Sequence, residues 1–421
     1  MKKYLVRLTI AAAFLCASAF SALAEPIVTP EFEKAVEVAA AKATEIRHIV
    51  HRDPELSWQE VRTTALYASE LEKAGIKILQ VGFKGTESGI VAEIEGAFPG
   101  PTLAIRADID ALPVQENRSY KIVSENDGIM HACGHDAHGA GLLGTALAVN
   151  QLRDKLHGKI RFIFQPAEES GFDPGAKAMI AEGALDGVDA IIGTHVSGSL
   201  AKGKVGWKNG AFAASADFWE IVVTGKGGHG GFPHTAINPN LCMASMIPAI
   251  ENIVSAEVPA SELVVVTVAS LESGNRPNVI PEKCRATGNV RTSNREIRAS
   301  MPERFERIAK NIAAAWRCTA EVKYSQLIPV MVNDDNIMGW IREAVSDAGM
   351  GDTLEERPFG MASEDFSFYG DVLPAAFIYF GMGTGFPNHA ANFIVDDDVM
   401  PLSVRVQTLL ALDYGISHPK D

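Results

Sequence analysis

Two stretches, His131-Ala132-Cys133-Gly134-His135 and Gln165-Pro166-Ala167-Glu168-Glu169, bring a thiol, imidazoles and adjacent carboxylates into one chain. Cys and His are good ligands for zinc-like ions. A doubled glutamate offers one carboxylate to hold metal and one to move a proton. These are the parts of a metal-activated hydrolase. Cys133 and His135 are too close for both to ligate from one helical face, but a loop with Gly134 between them can wrap an ion. Taken singly the pairs say little: a buried Cys beside a satisfied His is the commoner situation, and paired carboxylates are usually solvated. Their setting says more. Glu168-Glu169 follows an apolar strand and Pro166, His195 ends the next strand, and His389 lies in the loop Gly385-Phe386-Pro387-Asn388-His389 after another.

These residues need a scaffold that brings distant loops to one place. Residues 31–50 put Phe32, Val36, Ala39, Ala43, Ile46 and Val50 on one helical face. That helix is expected to break at His51-Arg52-Asp53-Pro54-Glu55, and a second to run from Val61 to Ala74 and stop at Gly75. Strands at 102–107, 159–165 and 188–194 then alternate with helices at 138–152 and 176–184, the pattern of an α/β unit with a mostly parallel sheet. Asp108, Glu168-Glu169 and His195 all fall just past the carboxyl ends of such strands, where open α/β sheets place their sites. From about Ser215 the order becomes strand 218–224, helix 238–254, strands 263–271 and 283–291, helix 295–316 and strand 320–325. This βαββαβ order is ferredoxin-like. The expected organisation is therefore a signal segment 1–24, a catalytic unit 25–213, an inserted lid and dimerisation unit 214–328, and a return to the catalytic unit over 329–421. Helices at 336–348 and 400–412 and a strand at 375–380 complete it.

At 421 residues the chain exceeds one ordinary hydrophobic core, so two units are the default. A formal net charge of −14 argues against nucleic acid or an anionic membrane as partner. Lys2, Lys3 and Arg7 precede the apolar run Leu8–Phe20 and the small-residue ending Ala22-Leu23-Ala24, which reads as a secretory signal cut before Glu25. The run is too short to span a bilayer, and Leu15 stands where lipid attachment at Cys16 needs a small residue. The expected location is periplasmic. Four cysteines remain in the mature chain; spacing leaves open whether Cys242, Cys284 and Cys318 form a bridge.

An ordered set of motifs carries a resemblance. It comprises Leu103–Pro113, His131–Asp136 with His138, Phe164–Glu169, Lys226-Gly227-Gly228-His229, Asn278-Val279-Ile280-Pro281 and Ala362–Ser367. The set resembles the di-metal amidohydrolases that include aminoacylases, carboxypeptidase G-type enzymes, hippurate hydrolases and auxin-conjugate hydrolases. It is closest to the hippurate/auxin-conjugate branch, over essentially the whole mature chain. The resemblance implies two divalent ions, zinc or manganese, with cobalt or nickel also suited to these ligands. Cys133 matches a bridging ligand, and His135, Glu169, His195 and His389 the others. Glu168 matches the general base and Asp108 a carboxylate that orients a ligand or the base, though a strand-end cap is the alternative. His229 matches an oxyanion-stabilising histidine that reaches an active site across a dimer interface. Asn278 and Arg291 match positions that hold the substrate carboxylate or the oxyanion, and for Arg291 a solvated strand arginine is the alternative. His234 stands as a second lid histidine or a structural one.

The implied reaction is hydrolysis of an N-acyl or N-aroyl amino acid, or of a dipeptide, by a homodimer. Rivals are a dipeptidase or carboxypeptidase of the same chemistry, a non-catalytic binding protein on the enzyme fold, and a redox thiol at Cys133. An intact Glu168 speaks against mere binding. The chain departs from the family at Asn388-His389, where a His-His pair is common, and at Val196-Ser197-Gly198-Ser199, where a bulky, proline-containing stretch is usual. Gly139 and Gly230 replace larger residues. These departures bear on pocket shape and remove no ligand.

Overall fold

Thr29 and Pro30 set the start of the first long helix. The Thr29 hydroxyl accepts from the Phe32 amide at 3.2 Å, and Pro30 takes a first-turn position where its missing N–H is no loss. In the computed structural model, which describes residues 26–420, this helix runs Pro30–Arg52. The signal segment read at 1–24 lies outside the described residues. Phe32, Val36, Ala39, Ala43, Ile46 and Val50 are all buried, as their spacing predicts. The helix ends within the expected stretch, one residue past His51. That residue stays helical and turns inward to Asp136 (2.9 Å) and Glu116 (3.0 Å), and Asp53, before Pro54, ends the helix.

The large sheet has eight strands in the order Lys77–Val81, Ile90–Glu95, His157–Gln165, Phe98–Asp108, Ala190–Ser197, Ala375–Gly381, Val205–Trp207 and Leu354–Glu356. Its centre is parallel, from His157–Gln165 through Ala375–Gly381. Antiparallel pairings flank that centre on both sides. The central strands are apolar on both faces because both faces are covered. Leu103, Ile105 and Ala107 join the core with helices Pro30–Arg52, His135–Gln151 and Val399–Ser417, while Ala104 joins a second cluster with Met179, Phe366 and Phe377. Helix His135–Gln151 is buried on nearly every side between these layers. At Gly139 a β-carbon would meet the Tyr67 hydroxyl at 2.5 Å, so the small residue there is forced by Tyr67.

The second sheet is antiparallel, in the order Val264–Ser273, Lys283–Thr292, Ala216–Thr224, Thr319–Ile328. With helices Pro239–Ala256 and Arg295–Ala315 this is the ferredoxin-like arrangement. Residues along Lys283–Thr292 alternate between buried and more open positions. The buried side meets Trp219, Met246 and Phe305 in a core of its own. Cys242, Cys284 and Cys318 are buried in that core as free thiols, so no bridge forms among them. Among the described residues no helix is long and apolar enough to cross a membrane.

Candidate active site and metal centre

Strand Phe98–Asp108 ends in Arg106 and Asp108, two residues apart and wholly buried. The Arg106 guanidinium lies 2.7 Å from Asp108, 2.7 Å from Asp365 and 3.1 Å from Glu364, and its Nε donates to Gln165 at 2.8 Å. Burial opposes its charge, but Glu364, Asp108 and Asp365 hold its pKa above the usual arginine value. The cluster ties the 103–113 motif to the 362–367 motif at the carboxyl edge of the sheet.

Two carboxylates then orient histidines. Asp108 accepts from His138 Nδ1 at 2.6 Å, and His138 Nε2 in turn accepts from the Val196 amide at 2.9 Å, which fixes the tautomer. Asp110 takes His135 Nδ1 at 3.1 Å and is itself fixed by Ser57 (2.6 Å) and the Glu169 amide (3.0 Å). With Nδ1 used, His135 presents Nε2, which is buried and has no protein hydrogen-bond partner. Buried polar atoms are rarely left so, and a metal ion held here would satisfy this one. The sequence singled out Asp108 for such a role. Asp110 makes the direct bond to the candidate ligand, while Asp108 reaches within 3.7 Å of its other nitrogen.

Gly134 precedes the helix with φ +92°, and a β-carbon there would lie 2.5 Å from Val196. The turn brings Cys133 Sγ to 3.4 Å from His195 Nε2. His195 donates Nδ1–H to its neighbour's carbonyl at 2.6 Å, leaving Nε2 facing the thiol. His389 has φ +67°, a strained conformation for a non-glycine residue, and its amide donates to Ala132 at 2.8 Å. Its Nε2 stands 3.1 Å from Glu169. Ligand atoms of Cys133, His135 and His195 lie within 4.8 Å of one another, and so do those of Cys133, Glu169 and His389. The thiol belongs to both triads. This donor set, with the orphaned His135 nitrogen, fits two ions sharing one thiolate.

Glu168 belongs to a further group with His135 and Glu169 and to another with Glu364 and Asp365. Desolvation, then the neighbouring Glu364, Glu169 and Asp365, push its carboxyl well above the usual range, while His135 pulls the other way. Ala167, with φ +56°, makes the turn that presents the pair, and its amide donates to Glu60 at 2.9 Å.

A cavity of about 690 Å³ opens on these residues. Cys133, Glu168, Glu169, His195 and His389 line one part of it, and Phe218 and Arg291 of the second sheet line another. Arg291 donates to the Met361 carbonyl at 3.1 Å. His229 and Asn278 are not on the cavity wall. They sit together on a small ribbon, Gly228–His229 against Val279–Ile280, where His229 is exposed. His234 is exposed in the turn Pro233–Thr235. Sequence reasoning missed Arg357 and Tyr379, which also line the cavity. Tyr379 was discoverable as the strand neighbour of a site residue, since it pairs with His195; Arg357 follows a three-residue strand with no readable pattern.

Comparison with known proteins identifies the family. The model of the peptidase family M20/M25/M40 matches residues 104–413. An N-acetylcysteine deacetylase of Bacillus subtilis (strain 168) is 38% identical over 87% of this chain and 95% of its own length. IAA-amino acid hydrolase ILR1-like 2 of Arabidopsis thaliana is 35% identical over 91% of this chain and 87% of its own. The crystal structure of the Bacillus subtilis YXEP protein, described as a dinuclear metal-binding peptidase of the M20 family, superposes with a TM-score of 0.81 at 35% identity. It covers 90% of this chain and 99% of that one. The chain belongs to the peptidase family M20/M25/M40 and is a metal-dependent hydrolase.

Proposed function

We propose that the chain is a secreted, periplasmic amidohydrolase that cleaves N-acyl or N-aroyl amino acids to a carboxylic acid and a free amino acid. One observation carries the reading. Glu168, a carboxyl held above its ordinary pKa, stands beside His135 and Glu169 and opens on the cavity that Arg291 enters from the second sheet. Relatives named for deacetylation of N-acetylcysteine and for hydrolysis of IAA-amino acids support the substrate class. The N-terminal charge and apolar pattern supports export.

Cys133, His135, Glu169, His195 and His389 hold two divalent ions, of zinc, manganese, cobalt or nickel. When bound, these ions lend Lewis acidity to the scissile carbonyl and to water. Glu168 accepts the proton of the attacking water and returns it to the nitrogen of the departing amine as the C–N bond breaks. Arg291 pairs with the substrate carboxylate. Phe218 lines the cavity, where it offers an aromatic face to an aroyl group, and packs at a tilt against the exposed Phe172 with ring centroids 5.3 Å apart. The inserted unit 214–328 acts as a lid. His229 and Asn278 act in the cavity of a partner copy in a homodimer. The exposed apolar side chains Leu241, Leu263, Val265 and Leu271 support burial of this face.

The test is a substrate panel under chelation and re-metallation, with N-acetyl, N-benzoyl and indole-acetyl amino acids beside simple dipeptides. Metal-restored release of a free amino acid from the acylated substrates is the expected result. Release from no substrate with any metal, by protein that binds two ions, would point to a binding protein instead.

A further inference from the structure

We infer that Arg357 recognises a second anionic group on the substrate, so that the enzyme prefers N-acyl amino acids bearing two acid groups to those bearing one. The inference rests on the amidohydrolase reading of the same cavity. Arg357 follows the edge strand Leu354–Glu356, and its amide is fixed by the Trp207 carbonyl at 2.8 Å. Its guanidinium lies 5.5 Å from the centroid of the Tyr379 ring, and Nη2 donates to the Ser199 hydroxyl at 3.3 Å. Ser199 in turn lies 3.1 Å from Ser197. Tyr379 is the register partner of His195, with rings 5.3 Å apart. One aromatic ring therefore separates this guanidinium from a metal ligand.

The stem of Arg357 runs over Gly206, where a β-carbon would come within 2.9 Å of it, and Gly206 is the strand partner of Tyr379. Among the described residues no carboxylate stands within ion-pair distance of Arg357 or Arg291. Three acids line the cavity: Glu364 is engaged with Arg106 at 3.1 Å, Glu169 with His389 at 3.1 Å, and Glu168 is the proposed base. The cavity thus carries an open guanidinium from each sheet. A guanidinium has five donors in one plane, and Arg357 spends one on Ser199. The rest suit bidentate capture of a carboxylate.

The test uses the full-length Glu168→Gln protein loaded with metal, and calorimetric binding of matched ligands. N-benzoyl-glycine is compared with N-benzoyl-glutamate, and N-acetyl-alanine with N-succinyl-alanine. The two pairs distinguish a second acid on the amino-acid side from one on the acyl side. In at least one pair the diacid should bind about ten- to a hundredfold more tightly. Arg357→Gln in the same background should remove that advantage, and Arg357→Lys should keep part of it. Equal affinities in both pairs, or an advantage that survives Arg357→Gln, overturns the inference. Should that variant fail to fold, the pairwise comparison with Arg357 present decides alone. Turnover of the same four compounds by the wild type is a separate arm: no amino acid from any of them overturns the hydrolase reading, and the binding comparison still decides Arg357.

Discussion

Replacing Arg106 by Met removes a buried charge while keeping much of the stem. In the wild type the guanidinium is wholly buried among Asp108, Asp365 and Glu364, at 2.7, 2.7 and 3.1 Å. Removing one partner of a buried ion pair costs about 3–5 kcal/mol, because the remaining charge is left without compensation. Protonation softens that loss. Burial raises the Glu364 carboxyl to about 8 against the pull of Arg106, so at pH 7 it is already largely neutral. Burial likewise raises Asp365, to about 6, with Arg106 again opposing. A carboxyl whose folded pKa exceeds its unfolded value of about 3.9 destabilises the fold as pH rises between the two. In the wild type this penalty stops growing near pH 6. Without Arg106 the Asp365 pKa climbs further, and the penalty keeps growing by about 1.4 kcal/mol per pH unit. From pH 6 to pH 8 the gap between Arg106→Met and wild type should widen by up to about 2.7 kcal/mol through Asp365 alone. Urea unfolding with chelator present, at pH 6 and pH 8, measures it. A loss under about 1 kcal/mol, or one equal at both pH values, refutes the reasoning.

Three further outcomes follow from single contacts. Asp110→Ala frees His135 Nδ1 and should weaken metal binding about 10- to 100-fold, read by competition with a chromophoric chelator. Gly134→Ala forces a side chain into φ +92° and against Val196, and should lower stability by about 1–2 kcal/mol or more along with metal affinity. A wild-type-like melting temperature and metal titration would contradict it. Burial works against a charge on His51, yet Asp136 and Glu116 raise its pKa to about 9. Its contribution is complete below pH 6.5 and is lost as pH rises through about 9. The Tm difference between wild type and His51→Gln should therefore shrink from pH 6 to pH 10; a constant difference would count against the buried ion pairs.

The strands that end at the site were legible because each is an apolar run closed by a polar residue. Phe98–Asp108 and His157–Gln165 contain their sequence-based counterparts, and Ala190–Ser197 overlaps the expected 188–194 but starts two residues later and runs three further. The second sheet was legible for the same reason, through alternation and two long amphipathic helices. Edge strands such as Val205–Trp207 and Leu354–Glu356 were not, since three residues show no period. The end of the first helix was legible from Pro54, but the inward turn of the His51 ring was not, since it answers to Asp136, 85 residues away. Arg106 meets Asp365 across 259 residues, so no local pattern reveals that the sheet edge carries a buried charge cluster. Asp108 and Asp110 share a strand-end motif, and only the fold separates the one that holds His138 from the one that holds His135.

In the proposed mechanism Glu168 is the proton carrier beside a two-ion site. The most direct measurement is turnover and metal content of Glu168→Gln, side by side on the best substrate of the panel. Loss of a positioned general base should lower kcat by about 10²- to 10⁴-fold, with two ions per chain retained. Turnover near the wild-type rate with both ions present would contradict the assignment of the base.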